Sequence, residues 1–203
     1  MTQNNQHPQG YRIKIKLPMM KVIPDVTRTV DIPANITFDQ LDKVIELTMG
    51  WWEGHLYEFS IPKANLEIPE MGTYLQSKDD PFFGSSAETI SPETEIDDYL
   101  TTFKRFKYVY DFGDYWEHEV RLMRVLDDYS AGHPVLVKAV GDCPPEDSGG
   151  VPGWLNMLDA YNDPKSPDHQ EVVDWLTESD QLPEDRAVNI DAINAYMKTS
   201  FRI

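Results

Sequence analysis

The stretch "ITFDQLDKVIELTMGW", residues 36–51, decides how this chain is organised. Phe38, Leu41, Val44, Ile45 and Thr48 recur at helical spacing and fall on one face. Thr37 with Gln40 three residues on has the form of a capping box, and Gly50 supplies a left-handed stop. Upstream, "YRIKIKL" (11–17) alternates Tyr11, Ile13, Ile15 and Leu17 with Arg12, Lys14 and Lys16, the period of a half-buried strand. "TRTVDI" (27–32) is a second strand, after the Pro24-Asp25 turn signal. Downstream, "LYEFSI" (56–61) puts Tyr57, Phe59 and Ile61 on one side of a third.

Strand, strand, helix, strand resembles the opening of a β-grasp, ubiquitin-like domain. Residues 62–95 then carry Pro62, Pro69, Pro81 and Pro92, which reads as a long irregular excursion with a short strand at "NLEI". "TEIDDYL" (94–100) reads as a short helix. "FKYVYDF" (106–112) and "WEHEVRLMRVL" (116–126) form antiparallel strands around Gly113-Asp114, and "PVLVKAV" (134–140) is a further strand. The last third is helical from about 151. Trp154, Leu158 and Tyr161 mark one helix; Val172, Val173 and Leu176 the next, with Ser166-Pro167 as N-cap and N1; Ile190, Ile193 and Met197 the last. The fold class is therefore α+β: a mixed or antiparallel sheet with a helical C-terminal third. Residues 1–10 read as a disordered N-terminus and 11–203 as one domain.

Bulk composition excludes several function classes. No apolar run approaches the roughly 18 residues of a membrane span, and the start "MTQNNQHPQG" has no apolar signal region. One cysteine forms no internal disulfide, which fits a reducing cytoplasm. A net charge of −17 argues against direct nucleic-acid binding, which needs clustered Lys and Arg. The charge is uneven: residues 1–30 hold five bases against Asp25, and residues 141–191 hold thirteen acids against Lys165 and Arg186.

Three stretches concentrate chemistry. In "YVYDFGDYWEHEV" (108–120), strand alternation points Trp116, His118 and Val120 inward together, while Asp111 and Asp114 bracket the turn glycine. Turn carboxylates ordinarily accept local backbone N–H groups; beside a half-buried His they can also hold a metal. In "GWWEGHLYEF" (50–59), His55 sits where helix gives way to strand, placed either to cap the helix C-terminus or to serve a site. In "GDCPPEDSGGVPG" (141–153), Asp142, Cys143, Glu146, Asp147 and Ser148 precede a helix on a rigid loop. Gly149-Gly150 permits positive φ and hence an anion-binding nest. Cys143 can be a nucleophile or soft ligand, but no CxxC spacing marks a structural zinc site. The loop carboxylates can instead cap the following helix.

Together these three stretches resemble the plasmid pRiA ORF-three-like family, whose members also carry the label insertion-element passenger TnpR proteins. The resemblance spans residues 11–197. "PDVTRTVDIP" keeps the family's Pro24, Arg28 and Pro33, with Thr27 where the family has Trp; only His55 matches the family's HLH motif. The resemblance implies a compact α+β fold and no established activity, and the acidic C-terminal third does not suit a recombinase.

Two readings follow. In the first, the chain is a non-enzymatic protein-binding or accessory module of mobile elements. It has a protein partner, met through surface aromatics such as Phe82 and Phe83 and through the acidic C-terminal surface, with no cofactor, no membrane contact and a cytoplasmic address. In the second, it is a divalent-metal-dependent hydrolase of phosphoesters or a related substrate. His55, Asp111, Asp114, His118 and Cys143 are then the candidate metal ligands, and Glu146 or Asp147 the catalytic base.

Overall fold

The computed structural model describes residues 9–51, 54–61, 64–66, 89–183 and 186–201. The strands are β1 (Gly10–Leu17), β2 (Val26–Pro33), β3 (Tyr57–Ile61), β4 (Ala64–Leu66), β5 (Thr89–Ile90), β6 (Arg105–Tyr110), β7 (Trp116–Leu126) and β8 (Val135–Val140). The helices are α1 (Phe38–Met49), α2 (Asp97–Phe103), α3 (Gly150–Asn162), α4 (His169–Glu178) and α5 (Ile190–Ser200). The strands make one sheet in the order β5-β4-β3-β6-β7-β1-β2-β8. Neighbours are antiparallel except β4 and β5, which are parallel at one edge. The protein is thus an α+β chain with a mostly antiparallel sheet. The strand–strand–helix–strand order is present, and β6 and β7 lie between β1 and β3 in the sheet. No helix among the described residues is long and apolar enough to cross a membrane.

The sheet has one buried face. Tyr11, Ile13, Ile15 and Leu17 of β1 are all fully buried, while Arg12, Lys14 and Lys16 between them are not. Trp116, His118 and Val120 of β7 are inward as alternation requires. Against this face lies α1, whose capping box at Thr37 and Gln40 is formed in both directions. Gly50, at φ +86°, ends it by returning its N–H to the Glu46 carbonyl.

Several boundaries differ from the sequence expectation. The sheet begins earlier than the disordered 1–10 segment allows: Gly10 opens β1, and the Gln9 N–H donates to the Leu126 carbonyl. Ser166 does not cap α4. It accepts from the Asp168 N–H within a turn, and α4 starts at His169. Residues 67–88, including Phe82, Phe83 and the end of "NLEI", lie outside the described residues. At the other edge, the Asn194 amide of α5 both donates to and accepts from Leu136. It thereby occupies the open edge of β8 as a strand would.

Two features run against the apolar pattern. Arg28 shares its strand face with Val26, Val30 and Ile32, so the sequence's basic N-terminal stretch loses one surface charge to the core. And α1 carries acids on the face it turns toward tyrosines of the sheet. Asp39 lies 3.5 Å from the Tyr57 hydroxyl, and the Tyr108 hydroxyl donates to buried Asp42 at 2.5 Å. Burial raises the Asp42 carboxyl to about 8, with the negative charge of Glu46 adding to the rise.

An aspartate whose folded pKa is raised from 3.8 to about 8 stabilises the fold fully below the lower value and loses that contribution as pH climbs through the upper one. Stability measured by urea denaturation should therefore fall between about pH 4 and pH 8, and Asp42→Asn should flatten that slope. An unchanged slope in the variant would contradict the assignment. Separately, a Cβ on Gly150 would lie 2.2 Å from the Asp114 carbonyl oxygen, at a φ of +68°. Gly150→Ala should lower the unfolding free energy by roughly 2–4 kcal/mol.

Candidate functional site

Three chain segments meet at the end of the sheet where β6 turns into β7. The first leaves α1 through Gly50 and Trp51 and reaches His55. The second is the five-residue β6–β7 connection with Asp111 and Asp114. The third is the loop of residues 141–149 after β8. Their aromatic floor fixes them. Trp51 stacks on Tyr110 at 4.9 Å and 11°, and its indole N–H donates to the Pro144 carbonyl at 2.9 Å. That bond ties the first segment to the third.

Tyr110 then arranges polar groups around its hydroxyl. It donates to Glu146 Oε1 at 2.5 Å and accepts from the His55 backbone N–H at 3.3 Å. The Glu46 side chain of α1 reaches the same hydroxyl. Half-buried beside Glu146, Glu46 is pushed up to about 7, first by desolvation and next by its neighbour's charge. The Tyr110 hydroxyl is itself driven well above the usual phenol range by the same burial.

The His55 ring stands edge-on to Tyr110, at 5.6 Å and 88°. Its Nδ1 is 3.9 Å from Asp111 Oδ2, and its Nε2 is 3.8 Å from Asp147 Oδ1. Nε2 is buried and makes no hydrogen bond among the described residues. His55, Asp111 and Asp147 each offer one ligand atom, and these atoms lie within 4.8 Å of one another. Asp111 and Asp147 have left-handed backbones, φ +55° and +57°, and His55 follows Gly54 at φ +66°. Non-glycine residues held there are uncommon, and they concentrate where a site fixes a side chain's direction. Asp111 is helped by an Asx turn, its Oδ1 accepting from the Gly113 N–H at 2.8 Å.

The remaining sequence candidates fall elsewhere. Asp114 accepts from the Gly149 N–H at 3.0 Å, which ties the β6–β7 turn to the residue before α3. That helix has no side-chain cap, from the loop's own carboxylates or otherwise, among the described residues. The Asp114 bond also occupies an amide of the expected anion nest. His118 is fully inside the sheet face, its Nδ1 bonded to the Trp116 carbonyl at 2.8 Å and its ring against Trp51 and Tyr108. Burial lowers its pKa to about 4, which makes it a neutral core residue outside the cluster. Cys143 is likewise buried and outside it, and desolvation raises its thiol to about 12. A thiol that stays protonated is neither a nucleophile nor a ready metal ligand, so Cys143 fills neither expected role. His55 does not cap α1, since its ring faces the two carboxylates. Glu46 was missed, although its signal was present: Asp39, Asp42 and Glu46 recur at helical spacing.

The comparisons with known proteins agree with this architecture. The chain is 34% identical over 182 residues to an uncharacterised protein, y4hQ, of Sinorhizobium fredii (strain NBRC 101917 / NGR234), covering 90% of this chain and 88% of that one. Its fold matches the crystal structure of a protein of unknown function, MM3350, from Methanosarcina mazei Go1. That match has a TM-score of 0.72 at 25% identity and covers 90% of this chain and 96% of the other. Residues 9–192 match the family described as plasmid pRiA4b ORF-3-like protein. Over that span the three motif stretches and the fold that joins them go together, and the chain belongs to the plasmid pRiA4b ORF-3-like family.

Proposed function

We propose that His55, Asp111 and Asp147 form a divalent-metal centre and that the protein is a metal-dependent hydrolase of phosphoesters or related substrates. The observation that carries this reading is the unpartnered His55 Nε2, buried 3.8 Å from Asp147 with a second carboxylate 3.9 Å from the other ring nitrogen. Those separations are too long for hydrogen bonds. An ion takes one ring nitrogen only: Nε2 lies 3.8 Å from Asp147 Oδ1, inside the roughly 3.0–4.2 Å that separates two ligands about 2.1 Å from one ion, and one ligand atom from each of the three residues lies within 4.8 Å of the others. One imidazole with two carboxylates favours Mn²⁺, Zn²⁺ or Fe²⁺ over soft metals.

Three protein ligands leave positions for water and substrate, and the bound ion would supply Lewis acidity and an acidified water. The chain supplies the rest. Glu46, raised to about 7 and linked to the His55 segment through Tyr110, can exchange a proton near neutrality. The Tyr110 hydroxyl holds Glu146 and the His55 backbone in position, so it acts as a positioning residue. The accessory-module reading draws support from a different surface, the open face of the sheet. Its proposed aromatics Phe82 and Phe83 lie outside the described residues.

Calorimetric titration of chelator-stripped protein with Mn²⁺ and Zn²⁺ should give about one site per chain and raise the melting temperature. His55→Ala and Asp111→Ala should abolish both effects, while Tyr110→Phe should weaken binding by about tenfold or more. Wild-type protein that binds neither ion would end the proposal. On a phosphoester panel with Mn²⁺, hydrolysis should vanish in His55→Ala, and Glu46→Gln should lose the ionisation near pH 7 from the rate profile. An unaltered profile in that variant would remove Glu46 from the chemistry.

A further inference from the structure

The face of the sheet turned away from α1 carries a row of positive charge with no paired acid among the described residues. The strand registers define it. Lys14 of β1 stands opposite Arg121 of β7, and Arg121 opposite Arg105 of β6. On the other side Lys14 faces Thr29 of β2, and Thr29 faces Lys138 of β8. Lys138, Thr29, Lys14, Arg121 and Arg105 therefore lie side by side across five adjacent strands. Arg105, Arg121 and Lys138 are exposed and Lys14 partly so. Like charges directly opposite on a sheet destabilise it, and here three basic side chains stand consecutively. None of the four cations has a carboxylate within ion-pair distance among the described residues. Asp25, whose carboxyl feels the Lys14 charge, is taken by Lys16 at 2.7 Å. The neighbouring rows differ: Lys107 pairs with Glu117 at 3.0 Å and Arg12 with Asp31 at 2.6 Å.

In a chain of net charge −17 this arrangement is costly and local. We infer that the row is a docking surface for an acidic amphipathic helix of a partner protein, lying across the strands. Strands are spaced about 4.8 Å apart, so the row is about 19 Å long. A helix rises about 5.4 Å per turn, so acids at i, i+4, i+7 and i+11 follow the row at close to one acid per strand. An extended acidic peptide repeats its same-face side chains every 6.6–6.8 Å or so and falls out of step within two strands. A nucleic acid meets the repulsion of the whole chain, and so does a second copy of it. A short helix carries few enough charges to feel chiefly the local row.

The surface is independent of the His55 centre, so the test uses full-length protein with no metal added. Fluorescence anisotropy would follow a labelled 18-residue helical peptide carrying Glu at i, i+4, i+7 and i+11. A peptide of the same composition with its Glu residues scattered around the helix serves as control. The patterned peptide should bind at least tenfold more tightly, and its affinity should fall as salt is raised. Lys14→Glu and Arg121→Glu should each reduce binding at least tenfold, with circular dichroism unchanged and the melting temperature no lower than wild type, since each relieves repulsion along the row; Lys43→Glu, on α1, should leave binding unchanged. Equal binding of both peptides would overturn the inference, as would insensitivity to Lys14→Glu and Arg121→Glu. Binding of a single-stranded oligonucleotide in preference to the peptide would also overturn it. So would self-association in sedimentation that the same two substitutions abolish.

Discussion

A buried guanidinium whose hydrogen bonds among the described residues all go to carbonyls is the constraint on which the rest of the structure depends. Arg28 donates from Nε to the Thr48 carbonyl at 2.6 Å, and from Nη1 to the carbonyls of Thr27, Val140 and Gly141 at 3.0–3.1 Å. Desolvation lowers its pKa, and the charge of nearby Asp142 only partly offsets that. Taking a cation out of water is tolerated because each charged hydrogen bond contributes about 1.5–3 kcal/mol. The negative end of α1 adds to the field at Thr48. The carbonyls it gathers are the exits of α1 and of β8. From the first exit the chain runs to His55, and from the second to Glu146 and Asp147. One side chain thus fixes where two of the three site segments begin.

From that clamp outward the site is assembled by contacts that leave little freedom. Trp51 joins the first segment to the third through Pro144, and Asp114 joins the second to the third through the Gly149 amide. The close approach of Gly150 to the Asp114 carbonyl then leaves no room for a side chain. Within this frame α1 contributes carboxyl groups in place of a uniformly apolar stripe. Asp42, held by Tyr108, and Glu46, beside Tyr110, are both shifted far from their ordinary ionisation. Such groups cost stability at neutral pH. Strong perturbation of this kind concentrates at functional sites, and here it adjoins the His55 cluster.

Much of the fold was legible because its signals are local. The β1 alternation, the Thr37–Gln40 box and the Gly50 stop each act within a few residues, and each is seen in the structure. The site was legible as three stretches but not as a set of atoms. His55, Asp111 and Asp147 come together, whereas His118 and Cys143 go to the core, and only burial decides between those fates. For His118 the alternation with Trp116 and Val120 already pointed inward. For Arg28, the parity with Val26 and Val30 carried the same message against the usual exposure of arginine. Glu46 and the Lys14–Arg121–Arg105 row depend on strand registers and helix facing that no single segment encodes.

The central claim is that the segments held by Arg28, Trp51 and Asp114 converge to bind an ion. Crystals grown with MnCl₂ and measured at the manganese absorption edge test it most directly. The account predicts one anomalous peak per chain, within bonding distance of His55, Asp111 and Asp147. A peak at other side chains, or none at saturating manganese, would contradict it.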